Sequence, residues 1–151
     1  MNKVYIAETV VNEIYSTMIS DTCECGGILG MSRNGVITHY CFDYFAEQSD
    51  RNAYRPSVER LNSVIQEWYQ EGIHFCGIIH SHPYGCSELS MADRLYAEEI
   101  LQCNFYLDKI YFPILMEGSR AKELVIWSIQ KEGSLILKNN YIVLDGQERR
   151  C

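Results

Sequence analysis

Two imidazoles stand one residue apart at the end of an apolar run, in Gly77-Ile78-Ile79-His80-Ser81-His82-Pro83, and no other stretch constrains this chain as much. Side chains at i and i+2 of a strand point to the same face, so His80 and His82 can meet one ion if the strand extends that far. Pro83 cannot donate to a ladder, which predicts the strand's end there. After a short loop comes Ser90-Met91-Ala92-Asp93. Its hydroxyl and carboxylate, three apart before an apolar periodic stretch, predict the opening of a helix. Asp93, one turn in, can point back toward the strand mouth, where sites usually sit in α/β folds. Two neutral imidazoles and one carboxylate are a three-ligand set for catalytic zinc, with the fourth position left to water, whose pKa such an ion lowers to ~7. Each half alone has an ordinary explanation, a chance His-x-His or a capping box of purely structural value. Their conjunction predicts a metal site and the chemistry of a metallohydrolase.

The remaining periodicities predict one alternating α/β (α+β) domain without linker or repeat. Residues 3–6 read as a short strand, and apolar residues from Thr9 to Ile19 recur at helical spacing. Gly26–Met31 reads as a buried strand with glycines where another backbone comes close. Asn34-Gly35 predicts a hairpin turn into a strand over Val36–Phe45. Pro56-Ser57 opens a second helix with Val58, Leu61, Val64, Ile65 and Trp68 on one face, ended by Gly72. Phe75–Ile79 is a buried strand running into the histidines. The third helix, from Ser90, is expected to turn Ala92, Leu95, Tyr96, Ile100 and Cys103 inward. Strands follow over Ile110–Met116, with Pro113 suggesting an edge or a bulge, and over Leu124–Ile129, Leu135–Lys138 and Tyr141–Leu144. Turns at Glu132-Gly133 and Asn139-Asn140 are expected to join the last three as hairpins.

A chain of 151 residues with 47% hydrophobic residues has ample material for one core. The net charge of -7 argues against nucleic-acid backbones or anionic lipid as the main partner. The N-terminal residues lack the apolar core of a signal peptide, and no apolar run approaches the ~18 residues of a membrane span. The seven cysteines include no Cys-x-x-Cys pair and read as reduced, mostly buried thiols, so a cytoplasmic location is expected.

His80-Ser81-His82-Pro83, six residues, Ser90, two residues and Asp93 together resemble the signature of the JAMM/MPN (JAB-type) zinc metalloproteases, which include deubiquitinating enzymes and their compact prokaryotic relatives. Glu24-Cys25-Gly26-Gly27-Ile28-Leu29-Gly30 resembles that family's upstream Glu before a Gly-aliphatic stretch. The resemblance implies a JAMM/MPN domain over residues 1–145 with a polar tail at 146–151. Its fold would be cytidine-deaminase-like, a curved, mixed and largely antiparallel sheet flanked by helices. It implies one Zn2+ per chain, held by His80, His82 and Asp93 with water as the fourth ligand. Glu24 would take the proton of the zinc-bound water and pass it to the leaving amine, and Ser90 would hydrogen-bond the oxyanion. The implied substrate is the extended C-terminal tail of a ubiquitin-like protein, cleaved from a lysine or a short extension, and bound by strand addition beside the site. The implied partners include neither nucleic acid nor membrane. From the residues alone, Glu24 reads as a solvated strand-start carboxylate and Ser90 as a helix cap. Competing readings are a small-substrate hydrolase acting on a sulfur-carrier protein, a non-catalytic MPN scaffold, and a RadC-like protein.

Other candidates carry less. Cys23 and Cys25 flank Glu24, but Cys-x-Cys alone is poor evidence of a thiolate site. Cys86, between His82 and Ser90, could approach the ion as a redox-sensitive brake. His39 and His74 have no partner at ligand spacing. The His-Glu-x-x-His helix, the Pro-Cys-x-x-Cys half of the zinc deaminases and a nucleophile elbow are all absent from the sequence.

Overall fold

A computed structural model of the protein describes residues 3–18, 24–44, 46, 54, 56–82, 86–117 and 121–146. Pro83, Cys23 and the tail beyond 146 lie outside the described residues, so the expectations placed on them stay with the sequence. In chain order the elements are β1 (Lys3–Ala7), α1 (Glu8–Thr17), β2 (Gly26–Met31), β3 (Val36–Phe42), α2 (Val58–Gln70), β4 (His74–His82), α3 (Met91–Cys103), β5 (Lys109–Glu117), β6 (Lys122–Gln130) and β7 (Ile136–Leu144).

Strands read as unbroken apolar runs where both faces are covered, and β2, β4 and β5 meet that condition. Leu29, Cys76, Ile79, Tyr111 and Leu115 face a core closed by Val10 and Ile14 of α1. Their neighbours Ile28, Ile78, Phe112 and Ile114 face a second core under Leu61 and Trp68 of α2 and Ala97 and Leu101 of α3. His80 and His82 continue the row that begins at Ile78, so period 2 delivers both to the face of α2 and α3.

The sheet is mixed, but it is not an open sheet flanked by helices. Its strands close on themselves in the order β1-β3-β2-β4-β5-β6-β7, because β7 pairs with β1 in parallel from Lys3↔Asn140 to Ala7↔Leu144. The β1 pairing of β3 stops at Val36 and Ile37, which leaves β3 open on that side only beyond this point.

Three further expectations change for physical reasons. Asn139-Asn140 is not a turn, since β7 runs straight through it and changes partner from β6 to β1. The buried Asn139 amide donates to Ser128 Oγ (3.0 Å) and the Ile126 carbonyl (3.3 Å), so β6 supplies what a turn would otherwise provide. Pro113 is neither at an edge nor in a bulge: β5 lies between β4 and β6, and Pro113 falls in the gap of the β4 ladder between Gly77↔Tyr111 and His80↔Ile114. No donor is needed from it there. On α3 the inward row is Ala97 and Leu101 with Tyr96 and Ile100 partly buried, while Ala92, Leu95 and Cys103 face outward. The Glu132-Gly133 turn is present, with Gly133 at φ 75° and Gln130 N–H on the Leu135 carbonyl. Among the described cysteines Cys25 and Cys76 are buried and Cys41 half-buried, whereas Cys86 and Cys103 are exposed. No described helix is long and apolar enough to cross a membrane.

Candidate metal centre

Strand register assembles the site. β2 and β4 are antiparallel with Gly26 opposite His80, and Ser81 N–H continues the ladder to the Cys25 carbonyl at 2.8 Å. Carried one step further, the same register sets Glu24 across from His82. The Glu24 Oε1 lies 4.0 Å from His82 Nε2.

From the other side comes the N-terminus of α3. Ser90 caps this helix through a complete capping box, its Oγ accepting from Asp93 N–H (3.1 Å) while its own N–H donates to Asp93 Oδ2 (2.9 Å). The box holds the Asp93 side chain back over the first turn, toward β4. Asp93 Oδ2 is thereby 3.2 Å from His80 Nε2 and 3.4 Å from His82 Nε2, and the two imidazole nitrogens are 2.8 Å apart.

Ligand atoms around a tetrahedral zinc at ~2.0–2.1 Å stand ~3.3 Å from one another. The two contacts of Asp93 match that edge, and the His–His contact is shorter. The three atoms form a group that can hold a metal ion, with both histidines buried. Its donor set, two imidazoles and a carboxylate, suits zinc and leaves a position for water or substrate.

The groups behind these ligands are less visible in the sequence. His82 Nδ1–H donates to the Cys86 carbonyl at 3.1 Å, which keeps the Nε2 lone pair turned to the site. The backbone carbonyl of Cys86 thus faces His82, while its thiol meets the Glu88 carbonyl at 3.8 Å. Trp127 Nε1–H donates to the Ser87 carbonyl (2.7 Å) and pins this loop to β6. His80 packs edge-on against Phe112, their ring centroids 5.1 Å apart. Neither backbone carbonyl carries a residue-type signal, so sequence reasoning could not have found them.

Electrostatics follow from these contacts. Burial opposes charge on His82, but the Asp93 hydrogen bond, the Cys86 carbonyl and the charges of Asp93 and Glu24 outweigh it and raise its pKa to about 9. Burial likewise opposes the Asp93 carboxylate, yet hydrogen bonds from His80 and His82 hold it well below the usual carboxylate range. Glu24 is shifted up, chiefly by burial, with the His80 and His82 charges and the Tyr54 N–H pulling the other way. A carboxylate moved upward and facing a metal-ligand cluster can act as a proton acceptor. The other histidines stay apart from this cluster: His39 Nδ1 meets Thr38 Oγ1, and His74 is exposed beside Tyr69.

The family model described as prokaryotic homologs of the JAB domain matches residues 15–132, well over half of the chain and all of the elements that form the site. The chain belongs to the prokaryotic JAB-domain family. That family includes both zinc isopeptidases and non-catalytic members. No match was found among curated proteins. Among solved structures, this JAB domain is similar to the solution structure of protein DSY2949 from Desulfitobacterium hafniense. The likeness covers 94% of this chain and 93% of that one, with a TM-score of 0.72 at 14% identity, and it supports the fold alone.

Proposed function

We propose that this JAB domain is a zinc-dependent peptidase or isopeptidase acting after the C-terminal tail of a ubiquitin-like protein. The observation that carries the reading is the meeting of His80 Nε2, His82 Nε2 and Asp93 Oδ2 with the Glu24 carboxylate 4.0 Å from His82 Nε2. Family membership supports the substrate class, since members of the JAB family act on ubiquitin-like proteins.

A zinc ion bound by His80, His82 and Asp93 would supply a Lewis acid and a water acidified to a pKa of ~7. Glu24 accepts the proton of the attacking water through Oε1 and returns it to the leaving amine, so the substrate amide needs no covalent attachment to the enzyme. A base so placed contributes ~10²–10⁴-fold. The Ser90 oxygen is already an acceptor in the helix cap, so its O–H remains to donate to the oxyanion that develops on the scissile carbonyl.

The test begins with bound zinc, expected at one per chain. The protein is then incubated with ubiquitin-like proteins carrying C-terminal extensions or lysine-linked conjugates. Cleavage is expected to be abolished by chelator, by Glu24→Ala and by His82→Ala. Cleavage surviving Glu24→Ala would overturn the mechanism. Stoichiometric zinc without cleavage of any tail would retain the site and reject the substrate.

A further inference from the structure

The chain between β3 and α2 places one backbone group against Glu24. Tyr54 N–H donates to Glu24 Oε2 at 3.1 Å, which leaves Oε1 as the oxygen facing His82. Glu24 lies two residues before β2 begins at Gly26. What holds it is a residue that is itself fastened at two other points.

The first point is Asp43, just past the end of β3. Asp43 N–H continues the β2–β3 ladder to the Gly26 carbonyl at 2.9 Å, and its carboxylate is buried. A buried carboxylate is tolerated where donors surround it. Here Oδ2 accepts from Tyr54 O–H (2.9 Å) and Ser57 N–H (2.8 Å), and Oδ1 accepts from Ser57 Oγ–H. Burial and the neighbouring Asp43 charge keep the Tyr54 phenol protonated far above its usual range, so it remains a donor. The second point is Gly26, where any Cβ would stand 2.6 Å from Cε2 of the Tyr54 ring and run into the Ile79 carbonyl. Glycine there lets the Tyr54 ring come close to the strand that follows Glu24.

We infer that Tyr54 is a positioning residue for Glu24, anchored by Asp43 and Gly26 so that its N–H orients the carboxylate toward the metal ligands. The inference rests on the reading of Glu24 as the proton carrier. It adds that the oxygen facing the ligands is selected by a connection outside the JAMM-like motif, and that the glycine after Glu24 serves that connection as well as the sheet. Misplacement of a reacting group by about 1 Å can cost up to ~10²-fold in rate, which sets the scale of the effect.

Tyr54→Phe keeps the ring on Gly26 and removes only the bond to Asp43. It is expected to lower kcat about 10–100-fold with KM and bound zinc unchanged. Asp43→Ala is expected to behave in the same way. Asp43→Asn is expected to stay within about threefold of wild type, because its carbonyl can accept from Tyr54 and Ser57 N–H while its amide donates to the Ser57 hydroxyl. Hydrogen exchange of the Tyr54 amide provides a readout independent of cleavage. Protection is expected in the zinc-loaded protein and is expected to fall at least about tenfold in Tyr54→Phe and in Glu24→Ala. Full kcat in Tyr54→Phe, or a Tyr54 amide indifferent to Glu24→Ala, overturns the inference. Loss of kcat in Asp43→Asn as large as in Asp43→Ala overturns the anchor. If wild-type protein cleaves no tail but the amide responds as expected, the clamp stands and the proposed function fails.

Discussion

His82 carries opposing demands. Its proton is stabilised by the Asp93 carboxylate and the Cys86 carbonyl, yet a zinc ligand must present a neutral imidazole. With a pKa raised to about 9, metal must displace that proton throughout the neutral range. Zinc affinity is therefore expected to rise about tenfold per pH unit up to about pH 9 and then level off, with one proton released per ion bound. Competition with a chromophoric chelator at several pH values measures the slope. A flat response would mean that His82 is already neutral at pH 7. The sign for the metal-free fold is opposite: a raised pKa contributes stability that is full below ~6.5 and disappears as pH climbs through about 9. Glu24 illustrates a different point at this scale. Its two oxygens have separate partners, so the acceptor role proposed for it would depend on a backbone N–H thirty residues away.

At the level of the element, α3 begins with one pair of residues performing two tasks. Ser90 and Asp93 close a capping box, and the same Asp93 Oδ2 that accepts from Ser90 N–H faces both histidines. Helix start and the placement of a candidate ligand are thus one piece of geometry, which is why the spacing in the sequence admits either reading. Substitution separates the two roles. Ser90→Ala is expected to cost about 1 kcal/mol of stability and the oxyanion donor together. Ser90→Gly removes the hydroxyl but costs a helix cap only about a few tenths of a kcal/mol, so its melting temperature is expected to stay near wild type while kcat falls about 10²–10³-fold. Thermal melts beside single-turnover rates distinguish them; an active Ser90→Gly would leave Ser90 as a cap only. β4 shows the same economy, with Ile78 in the core and His80 and His82 in the site on one face of one strand.

Across the whole molecule, the site joins parts that the ring of strands brings together. The histidines end β4, Asp93 begins α3, and Glu24 leads into β2. An ion binding the folded arrangement and not the unfolded chain stabilises it by mass action, by about 2.7 kcal/mol when free zinc is 100-fold above its dissociation constant. For a domain of this size that is about 5–11 °C in melting temperature. Calorimetry of zinc-loaded protein with and without chelator is expected to show this difference, and His80→Ala to abolish it. Equal melting temperatures with and without chelator would deny the ion a place in the folded site.

Much of this was legible because it is local. Period 2 sets His80 and His82 on one face, Ser-x-x-Asp starts a helix, Gly26–Met31 and Val58–Gln70 carry their own patterns, and the motif from Glu24 to Asp93 marks the family. Each of these signals spans a few residues and depends on side-chain type. Other features escaped the sequence because their partners are far apart or are backbone atoms without residue identity. The Cys86 carbonyl behind His82 and the Tyr54 N–H on Glu24 are of this kind. Ring closure by β1 and β7 and the straight passage of β7 through Asn139-Asn140 depend on hydrogen bonds from distant strands, which overrode the turn propensity of that pair. The outward turn of Leu95 follows from where Ala97 and Leu101 meet the sheet, not from the composition of α3. Local chemistry thus named the residues of the candidate site, and long-range packing determined how they are oriented and what stands behind them.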